Sequence, residues 1–286
     1  MLESEFLPVK KNINCGGRLV SLDEPKIMGI LNLTPDSFYD GGKLADENAV
    51  LKQAEKMLKE GATFLDIGGY STRPGADEVS IEEEKKRVIP AMEILVKNFP
   101  EAFFSIDTYS SEVAREAIAA GAHIINDVSA GDDDSEMFQT VTELQVPYII
   151  MHKNGSPKTM QIDPQYEDVV KEVIQYLSFK LEKLNKLGVH DVIVDPGFGF
   201  GKNLEHNYQL LKNLNLFRML GVPVLAGVSR KRMINQVLKT KPENALNGTT
   251  VANTLALLQG ASILRVHDVK EAREAVKIVT FYRETI

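Results

Sequence analysis

The stretch DVIVDPGFGFGK, residues 191–202, brings a carboxylate and aromatic rings together at the end of a predicted strand. The β-branched run at 192–194 is typical of a strand buried on both faces, and Asp195 ends it. Three alternating glycines then permit close approach of a ligand, with Phe198 and Phe200 between them. This combination suits a planar, nitrogen-rich ligand, because the acid pairs with N–H donors while a ring stacks. It also fits a tight turn in which Asp195 caps the next helix, and the stretch alone favours neither interpretation.

Polar residues close nearly every predicted strand of the chain. In a barrel of parallel strands these ends share one rim, so their side chains converge. Any single residue could be a helix cap, but convergence of the whole set indicates a site. In chain order the strand-end residues are Asn32, Asp66, Asp107, Asn126, Met151, Asp195, Ser229, Arg265 and His267, of which Met151 is the apolar one.

The rim offers two kinds of chemistry. Asp107, Asn126 and Asp195 present acceptors to the amide and amino edges of a heterocycle, and a carboxylate accepts two parallel N–H bonds from a guanidine-like edge. Met151 and the phenylalanines supply apolar walls. Cations on other loops suit a phosphate or carboxylate, and two oxygen-bearing side chains suit Mg²⁺ or a phosphate. The cations are Arg73, Lys231, Arg265 and His267, and the oxygen-bearing residues are Asn32 and Thr72.

Two lysines near strand ends receive different interpretations. Lys231 lies in the run SRKR at 229–232, where a helix is predicted to start. Because the helix macrodipole disfavours cations at that end, the run predicts a bound anion. Lys202 is expected to begin a solvated helix.

Two loops have the composition of lids. Residues 34–42, TPDSFYDGG, are rich in turn formers, and residues 68–75, GGYSTRPG, have glycine at both ends. Loops of this kind can close over a substrate and exclude water.

The elements that must position these residues alternate regularly between strands and helices. A β-hairpin is predicted at 9–22, around Asn14-Cys15-Gly16-Gly17. Strands are then predicted at 26–33, 63–67, 102–106, 123–126, 146–151, 192–194, 222–226 and 262–266. Helices are predicted at 47–60, 80–98, 112–120, 135–144, 170–184, 204–220, 233–238, 246–258 and 269–282, with Ser80 and Glu83 forming a capping box.

This alternation predicts a (β/α)8 TIM barrel with a short N-terminal β-hairpin. A doubly wound open sheet is the alternative, but the chain has no GxGxxG turn. No linker rich in Gly, Ser or Pro divides the chain, so residues 1–286 are expected to form a single domain.

Composition excludes several classes of partner. The 286 residues are 43% hydrophobic and 26% charged, which is ordinary for a globular chain. A net charge of −7 without a basic tract argues against nucleic acid and anionic membranes. The single cysteine, Cys15, excludes an internal disulfide and agrees with a reducing cytoplasm. No secretory signal and no apolar run of the ~20 residues that span a membrane is visible.

Seven motifs in order resemble the dihydropteroate synthase family, from residue 26 to the last helix. They are MGILNLTPDSFYDGG, DIGGYSTRPGA, SIDT, IINDVS, DPGFGFGK, SRKRM and RVHDV. The resemblance implies a cytoplasmic, homodimeric (β/α)8 enzyme of folate biosynthesis, of a kind that sulfonamides target. Such an enzyme joins 6-hydroxymethyl-7,8-dihydropterin diphosphate to p-aminobenzoate with Mg²⁺, and releases pyrophosphate.

The resemblance also assigns residues to each substrate. The pterin is expected on Asp107, Asn126, Met151, Asp195, Phe200 and Lys231. The diphosphate is expected on Asn32, Thr72, Arg265 and His267, with Asn32 near Mg²⁺. The p-aminobenzoate is expected on Arg73, Pro74, Phe200, Lys231 and Arg232. Asp107, Lys231 and Arg73 are the expected catalytic residues.

Two single positions and one loop depart from the pattern of the family. Tyr70 stands where Glu is usual, Arg232 where Ser is usual, and Lys153-Asn154 where Met-Arg is usual. Two other functions fit the barrel and its acids. One is a corrinoid-type pterin methyltransferase, which has no diphosphate to hold, and the other is a non-catalytic pterin-binding subunit, which would require gaps in the rim.

Overall fold

The computed structural model describes residues 8–33, 43–70, 79–155 and 164–285. Its strands are β1 Asn12–Cys15, β2 Arg18–Ser21, β3 Lys26–Asn32, β4 Phe64–Gly68, β5 Phe103–Asp107, β6 Ile124–Asp127, β7 Tyr148–Met151, β8 Val192–Asp195, β9 Leu225–Ala226 and β10 Ile263–Val266. Its α-helices are α1 Lys43–Glu60, α2 Ile81–Asn98, α3 Ser111–Ala119, α4 Met137–Leu144, α5 Val169–Lys186, α6 Leu204–Lys212, α7 Arg232–Leu238, α8 Leu246–Leu258 and α9 Val269–Glu284. Two 3₁₀-helices cover Leu214–Leu220 and Pro242–Asn244.

Eight parallel strands form the barrel in the order β8-β7-β6-β5-β4-β3-β10-β9. A parallel bridge between Val194 and Val224 joins the two ends of this sheet. The Val194 N–H also donates to the Pro223 carbonyl at 3.0 Å. The predicted (β/α)8 barrel is therefore confirmed, and the open-sheet alternative is wrong.

The N-terminal hairpin closes the floor of the barrel. Strands β1 and β2 pair antiparallel, as predicted, and Gly16 and Gly17 take positive φ in the turn. Ile13 and Val20 of the hairpin pack in one cluster with inward-facing side chains of the barrel. Those barrel side chains are Met28, Phe64, Ile124, Ile149, Ile193, Leu225 and Ile263.

Side-chain alternation along each strand brings polar groups to the opposite end of the barrel. In β4, Phe64 belongs to the floor, whereas Leu65 and Ile67 pack in the outer cluster with the helices. Because successive side chains of a strand face opposite sides, Asp66 faces the barrel interior one step above Phe64. The same alternation carries Asp107, Asn126, Asp195 and Arg265 inward at the carboxyl ends of their strands.

Two helix predictions need correction. Ser80 accepts from the Glu83 N–H at 3.2 Å, but the Glu83 carboxylate pairs with Arg87, so half of the capping box is formed. The helix predicted over 204–220 is divided, because the Asn213 side chain donates to the Gln209 carbonyl at 2.8 Å and α6 ends there. Within the described ranges, no helix has both the length and the apolar composition needed to cross a membrane.

Candidate active site

A buried cluster of two acids, an amide and a guanidinium lies inside the barrel rim. Arg265 Nε donates to Asp66 Oδ2 at 2.6 Å, and Arg265 Nη2 donates to Asp107 Oδ2 at 2.6 Å. Asn126 Nδ2 donates to Asp66 Oδ2 at 3.0 Å. Asp66 is 0% exposed, and Asp107 and Asn126 are also almost completely buried. One arginine thus serves as the counterion of two buried carboxylates.

The cluster leaves acceptor atoms for a ligand. Asp107 Oδ1 and Asp66 Oδ1 are buried, and neither has a hydrogen-bond partner in the described part of the chain. Since Asn126 uses its amide N–H on Asp66, its carbonyl oxygen remains an acceptor. Burial raises the pKa of Asp107 to about 7, and the Arg265 guanidinium opposes that rise. A ligand that brings N–H donors to Asp107 would stabilise its charged form.

Asp195 ends β8 at a turn where backbones approach closely. Its Oδ1 accepts the Gly197 N–H at 2.7 Å. Burial raises the pKa of Asp195, and the Lys231 cation opposes this. A Cβ on Gly227 would lie 3.7 Å from both Asp195 Oδ2 and Lys231 Nζ, so this glycine leaves open the space between them.

We expect Gly197→Ala to destabilise the protein by more than about 2 kcal/mol, and clearly more than Gly199→Ala. Both glycines have positive φ, 74° and 83°. A Cβ on Gly197 would lie 1.9 Å from the His152 carbonyl oxygen, whereas one on Gly199 would meet Lys231 Cδ at an ordinary 3.5 Å. Urea denaturation of the two variants separates the clash from the backbone strain. Equal losses in the two variants would show that the backbones can separate.

Lys231 lies over a phenyl ring, as the predicted pocket requires. Its Nζ is 4.8 Å from the centre of the Phe200 ring and donates to the Phe198 carbonyl. Burial lowers the pKa of Lys231 to about 8, although Asp195 opposes the shift. Met151, the residue predicted as an apolar wall, is 3% exposed and lies next to the Gly197 turn.

The interpretation of Lys202 as a solvated helix start is wrong. Lys202 is 2% exposed, and its Nζ donates to the carbonyls of His152 and Phe200 at 3.2 and 2.9 Å. It also lies 3.0 Å from His152 Nδ1, and burial holds that imidazole neutral by lowering its pKa to about 3. The Lys202 side chain therefore links the loop after β8 to the loop after β7.

Replacing Lys202 by Met should flatten the dependence of stability on pH between about pH 7 and 9.5. Burial lowers the pKa of Lys202 to about 7 from 10.5, so its stabilising contribution is present above the unfolded pKa and is lost as pH falls through the folded pKa. Between these two pH values the unfolding free energy of the wild type should rise by about 3 kcal/mol more than that of the variant. Urea denaturation at both pH values measures it, with Lys186→Met as an exposed control. A slope equal to that of the wild type would contradict this placement of the charge.

The other predicted site residues that the structure describes have different surroundings. His267 Nδ1 is 3.0 Å from Ser229 Oγ. Asn32 Oδ1 and Asp107 Oδ2 lie on either side of Gly68, each 3.6 Å from where its Cβ would be. Arg232 is the first residue of α7, and its side chain is exposed. Thr72, Arg73 and Pro74 lie outside the described residues, as do the whole of the first predicted lid, 34–42, and residues 71–75 of the second.

Tyr70, the departure from the usual Glu, packs inside the protein. Its ring meets that of Tyr109 edge to face at 5.3 Å. Its hydroxyl is buried without a hydrogen-bond partner in the part of the chain that the structure describes, and burial raises its pKa. Glu84 is 2% exposed nearby, and burial raises its pKa to about 7. A tyrosine avoids placing another carboxylate next to Glu84 and Asp107.

Asp66, which the sequence indicates only as one of the strand-end residues and not as a ligand contact, lies at the centre of the cluster. Asp66 fixes both the amide of Asn126 and the guanidinium of Arg265. The signal was present, because Asp66 is the one charged residue in an otherwise apolar strand, FLDIG. Its partners, however, lie 60 and 199 residues away, and only the barrel brings them together.

Buried acceptors beside cations at the rim of an eight-stranded barrel define a (β/α)8 enzyme that binds a polar heterocycle together with an anion. The model of a family described as pterin binding enzymes matches residues 28–267. The dihydropteroate synthase of Escherichia coli K12 is 46% identical over 265 residues, which are 92% of this chain and 93% of that one. The chain belongs to the pterin-binding enzymes and, among them, to the dihydropteroate synthase family.

Solved structures agree with this assignment. A Xanthomonas albilineans dihydropteroate synthase with 4-aminobenzoic acid is 42% identical and superposes with a TM-score of 0.90, over 97% of this chain and 100% of that one. The same enzyme in complex with 7,8-dihydropteroate has a TM-score of 0.87 at 40% identity, over 96% and 100% of the two chains.

Proposed function

We propose that this protein condenses 6-hydroxymethyl-7,8-dihydropterin diphosphate with p-aminobenzoate, giving 7,8-dihydropteroate and pyrophosphate. The observation that carries the proposal is the buried set of acceptors on Asp107, Asn126 and Asp195 beside the cations Arg265 and Lys231. Relatives whose structures hold 4-aminobenzoic acid and 7,8-dihydropteroate support this second substrate and this product.

A coupled assay of pyrophosphate release, with and without p-aminobenzoate, tests the reaction. Release that depends on p-aminobenzoate is the expected result. The absence of release with both substrates present would overturn the proposal. Methyl transfer from a methylated pterin to a corrinoid would favour the methyltransferase instead, but that reaction has no use for the rim cations.

The pterin is assigned to the acceptor side of the rim. Asp107 Oδ1 and the side-chain oxygen of Asn126 are the acceptors that the buried cluster leaves open. Asp195 Oδ2 would pair with the amino and ring N–H groups of the pterin. Met151 and the Phe200 ring would contact the faces of the pterin.

The diphosphate is assigned to Arg265, His267, Asn32 and Thr72. The two carboxylates take two of the five N–H groups of Arg265, so N–H groups remain for phosphate oxygens. The described residues contain no group of three or more His, Cys, Asp or Glu that could hold a metal. Asn32 would supply an oxygen ligand to a bound Mg²⁺, and the diphosphate would supply others, an arrangement that suits this ion.

The p-aminobenzoate is assigned to Phe200, Lys231, Arg232, Arg73 and Pro74. Its ring would lie near Phe200 and Lys231, which already contact each other. The exposed Arg232 at the start of α7 is available to a carboxylate, where the family more often has Ser.

Each group has a defined role in the proposed mechanism. Departure of the diphosphate leaves positive charge on the pterin methylene, which the carboxylate of Asp107 stabilises. Arg265 and His267 stabilise the charge of the leaving group, and Mg²⁺ would supply further charge neutralisation when bound. The aniline nitrogen then attacks the methylene carbon. The protonated secondary amine that results loses a proton to solvent or to the released pyrophosphate. Because the attacking amine is neutral at pH 7, the reaction requires no strong base.

The protein is further proposed to be a cytoplasmic, single-domain homodimer. Exposed apolar side chains on two helices that pack together, α8 and α9, offer a surface for a second copy. They are Val251, Leu255, Leu258, Ile278, Phe281 and Tyr282, each at least 44% exposed.

We expect Leu255→Glu combined with Phe281→Glu to convert a dimer into monomers, because a buried unpaired charge opposes association. Sedimentation velocity measures the change. Phe179→Glu is the matched control, since Phe179 is 54% exposed on α5. An unaltered dimer would show that α8 and α9 do not form the contact.

A further inference from the structure

Arg230 lies between two residues of the rim, Ser229 and Lys231, in a strained backbone conformation. Its φ is 53°, and it is one of only four non-glycine residues in the described ranges that have a positive φ. This conformation costs about 1 kcal/mol or more for a residue other than glycine. Two side chains secure it: Thr249 Oγ1 accepts the Arg230 N–H at 3.0 Å, and Asn235 Nδ2 donates to the Arg230 carbonyl at 3.2 Å.

The Arg230 side chain is bound within the protein, to two other segments of the chain. Its Nε and Nη2 donate to the two carboxylate oxygens of Asp268 at 2.9 and 2.8 Å. Its Nη1 donates to the carbonyls of Pro242 and Glu243 at 2.7 and 2.9 Å. Bidentate pairs of this kind are strong and directional. The SRKR run therefore has an internal partner for Arg230, and no ligand is needed to explain this cation.

The Arg230–Asp268 pair lies where the barrel has few backbone hydrogen bonds. Strands β9 and β10 pair through Leu225 and Ala226 alone. Beyond them, Ser229 Oγ accepts the His267 N–H at 3.2 Å, and Arg230 binds Asp268 one residue further along each loop. Side chains thus replace the missing strand pairing between the loops that carry Lys231 and His267.

Asp268 does not perform the usual task of an acid at its position. It is the N-cap residue of α9, yet its side chain makes no capping hydrogen bond there. Its carboxylate is directed to Arg230, and its side chain is 17% exposed. The geometry favours the link between loops over stabilisation of the helix.

We propose that Arg230 and Asp268 are positioning residues that hold Lys231 and His267 at the separation required for both substrates. This inference rests on the proposed function, in which Lys231 faces the pterin and p-aminobenzoate and His267 faces the diphosphate. Neither Arg230 nor Asp268 contacts substrate in this scheme. Their contribution is the alignment of one half of the site with the other.

The test uses Asp268→Asn and Arg230→Lys in the full-length protein, after wild-type turnover has been established. Because small displacements of reacting groups are costly, Asp268→Asn should lower kcat by about 10- to 100-fold. The affinity for a pterin ligand without the diphosphate should fall less than kcat does, since Asp107, Asn126 and Asp195 are untouched and Lys231 is the one assigned pterin contact that would move. Arg230→Lys, which retains the charge, should fall between Asp268→Asn and the wild type.

A double-mutant cycle distinguishes positioning from general destabilisation. If Asp268 acts through Lys231, Asp268→Asn should cost little further activity in the background of Lys231→Ala. Glu24→Gln is the matched control, because Arg273 Nη1 pairs with Glu24 Oε1 at 3.0 Å below the barrel floor and away from the rim. Its kcat should equal that of the wild type.

Two results would overturn the inference. One is a full, additive loss from Asp268→Asn in the Lys231→Ala background. The other is an equal effect of Asp268→Asn and Glu24→Gln on kcat. Failure of the proposed function is a separate outcome, because the wild type itself would then release no pyrophosphate.

Discussion

Replacement of Arg265 by Met is expected to destabilise the protein by about 3–5 kcal/mol, because it removes the counterion from two buried carboxylates. Asp66 Oδ2 and Asp107 Oδ2 each lie 2.6 Å from the guanidinium. Their side chains are 0% and 9% exposed, so water cannot take the place of the lost partner. Turnover should be lost as well, since Arg265 is also assigned to the diphosphate.

The loss should depend on pH in a defined direction. Burial already raises the pKa of Asp107 to about 7, and without Arg265 it should rise further. An acid with a raised folded-state pKa contributes stability that is present at low pH and is lost as pH rises through that value. The variant should therefore be least stable near about pH 8 and partly recover near about pH 5.5.

Urea denaturation of Arg265→Met at both pH values measures this effect. Arg273→Met is the matched control, because its partner Glu24 is 37% exposed and the pair is expected to contribute less than about 1 kcal/mol. A loss from Arg265→Met that is as small as the control's, or independent of pH, would contradict the role of Arg265 as counterion.

Much of the architecture could be predicted because it depends on local pattern. β-branched runs, glycine stops and amphipathic spacing locate the strands and helices to within a few residues. Convergence of Asp107, Asn126, Asp195 and Arg265 then follows, since parallel strands of a barrel present their carboxyl ends on one rim. The structure brings these four residues into the same buried region, as the sequence analysis expected.

What could not be predicted depends on contacts between distant residues. Lys202 follows a glycine-rich turn and precedes a helix, a pattern typical of a solvated cation, yet His152 and Phe200 enclose it. Arg230 was interpreted together with its basic neighbours as part of an anion site, whereas Asp268, 38 residues away, satisfies it. In both cases the fold supplies the partner, and no local signal in the sequence identifies it.

Asp195→Asn is expected to weaken the binding of a pterin by about 10- to 150-fold, which corresponds to the 1.5–3 kcal/mol of a charge-assisted pair. The direction of the new amide can be inferred from the turn. Asp195 Oδ1 accepts the Gly197 N–H at 2.7 Å, so the amide oxygen of Asn must occupy that position. Its NH₂ group then takes the place of Oδ2, where it opposes the N–H donors of the pterin and the Lys231 ammonium.

The matched control for this variant is Asp127→Asn. Asp127 is also a buried strand-end acid, but it binds internal donors, with Tyr148 Oη and the Gly131 N–H at 2.7 and 2.8 Å from Oδ2. Asp127→Asn should lower stability and leave pterin affinity unchanged. Asp195→Asn should lower pterin affinity without lowering stability, because a neutral side chain is easier to bury. Calorimetric titration with a pterin ligand decides between them. An unchanged affinity in Asp195→Asn would remove the pterin from this end of the barrel, and with it the assignment of Lys231 to both substrates.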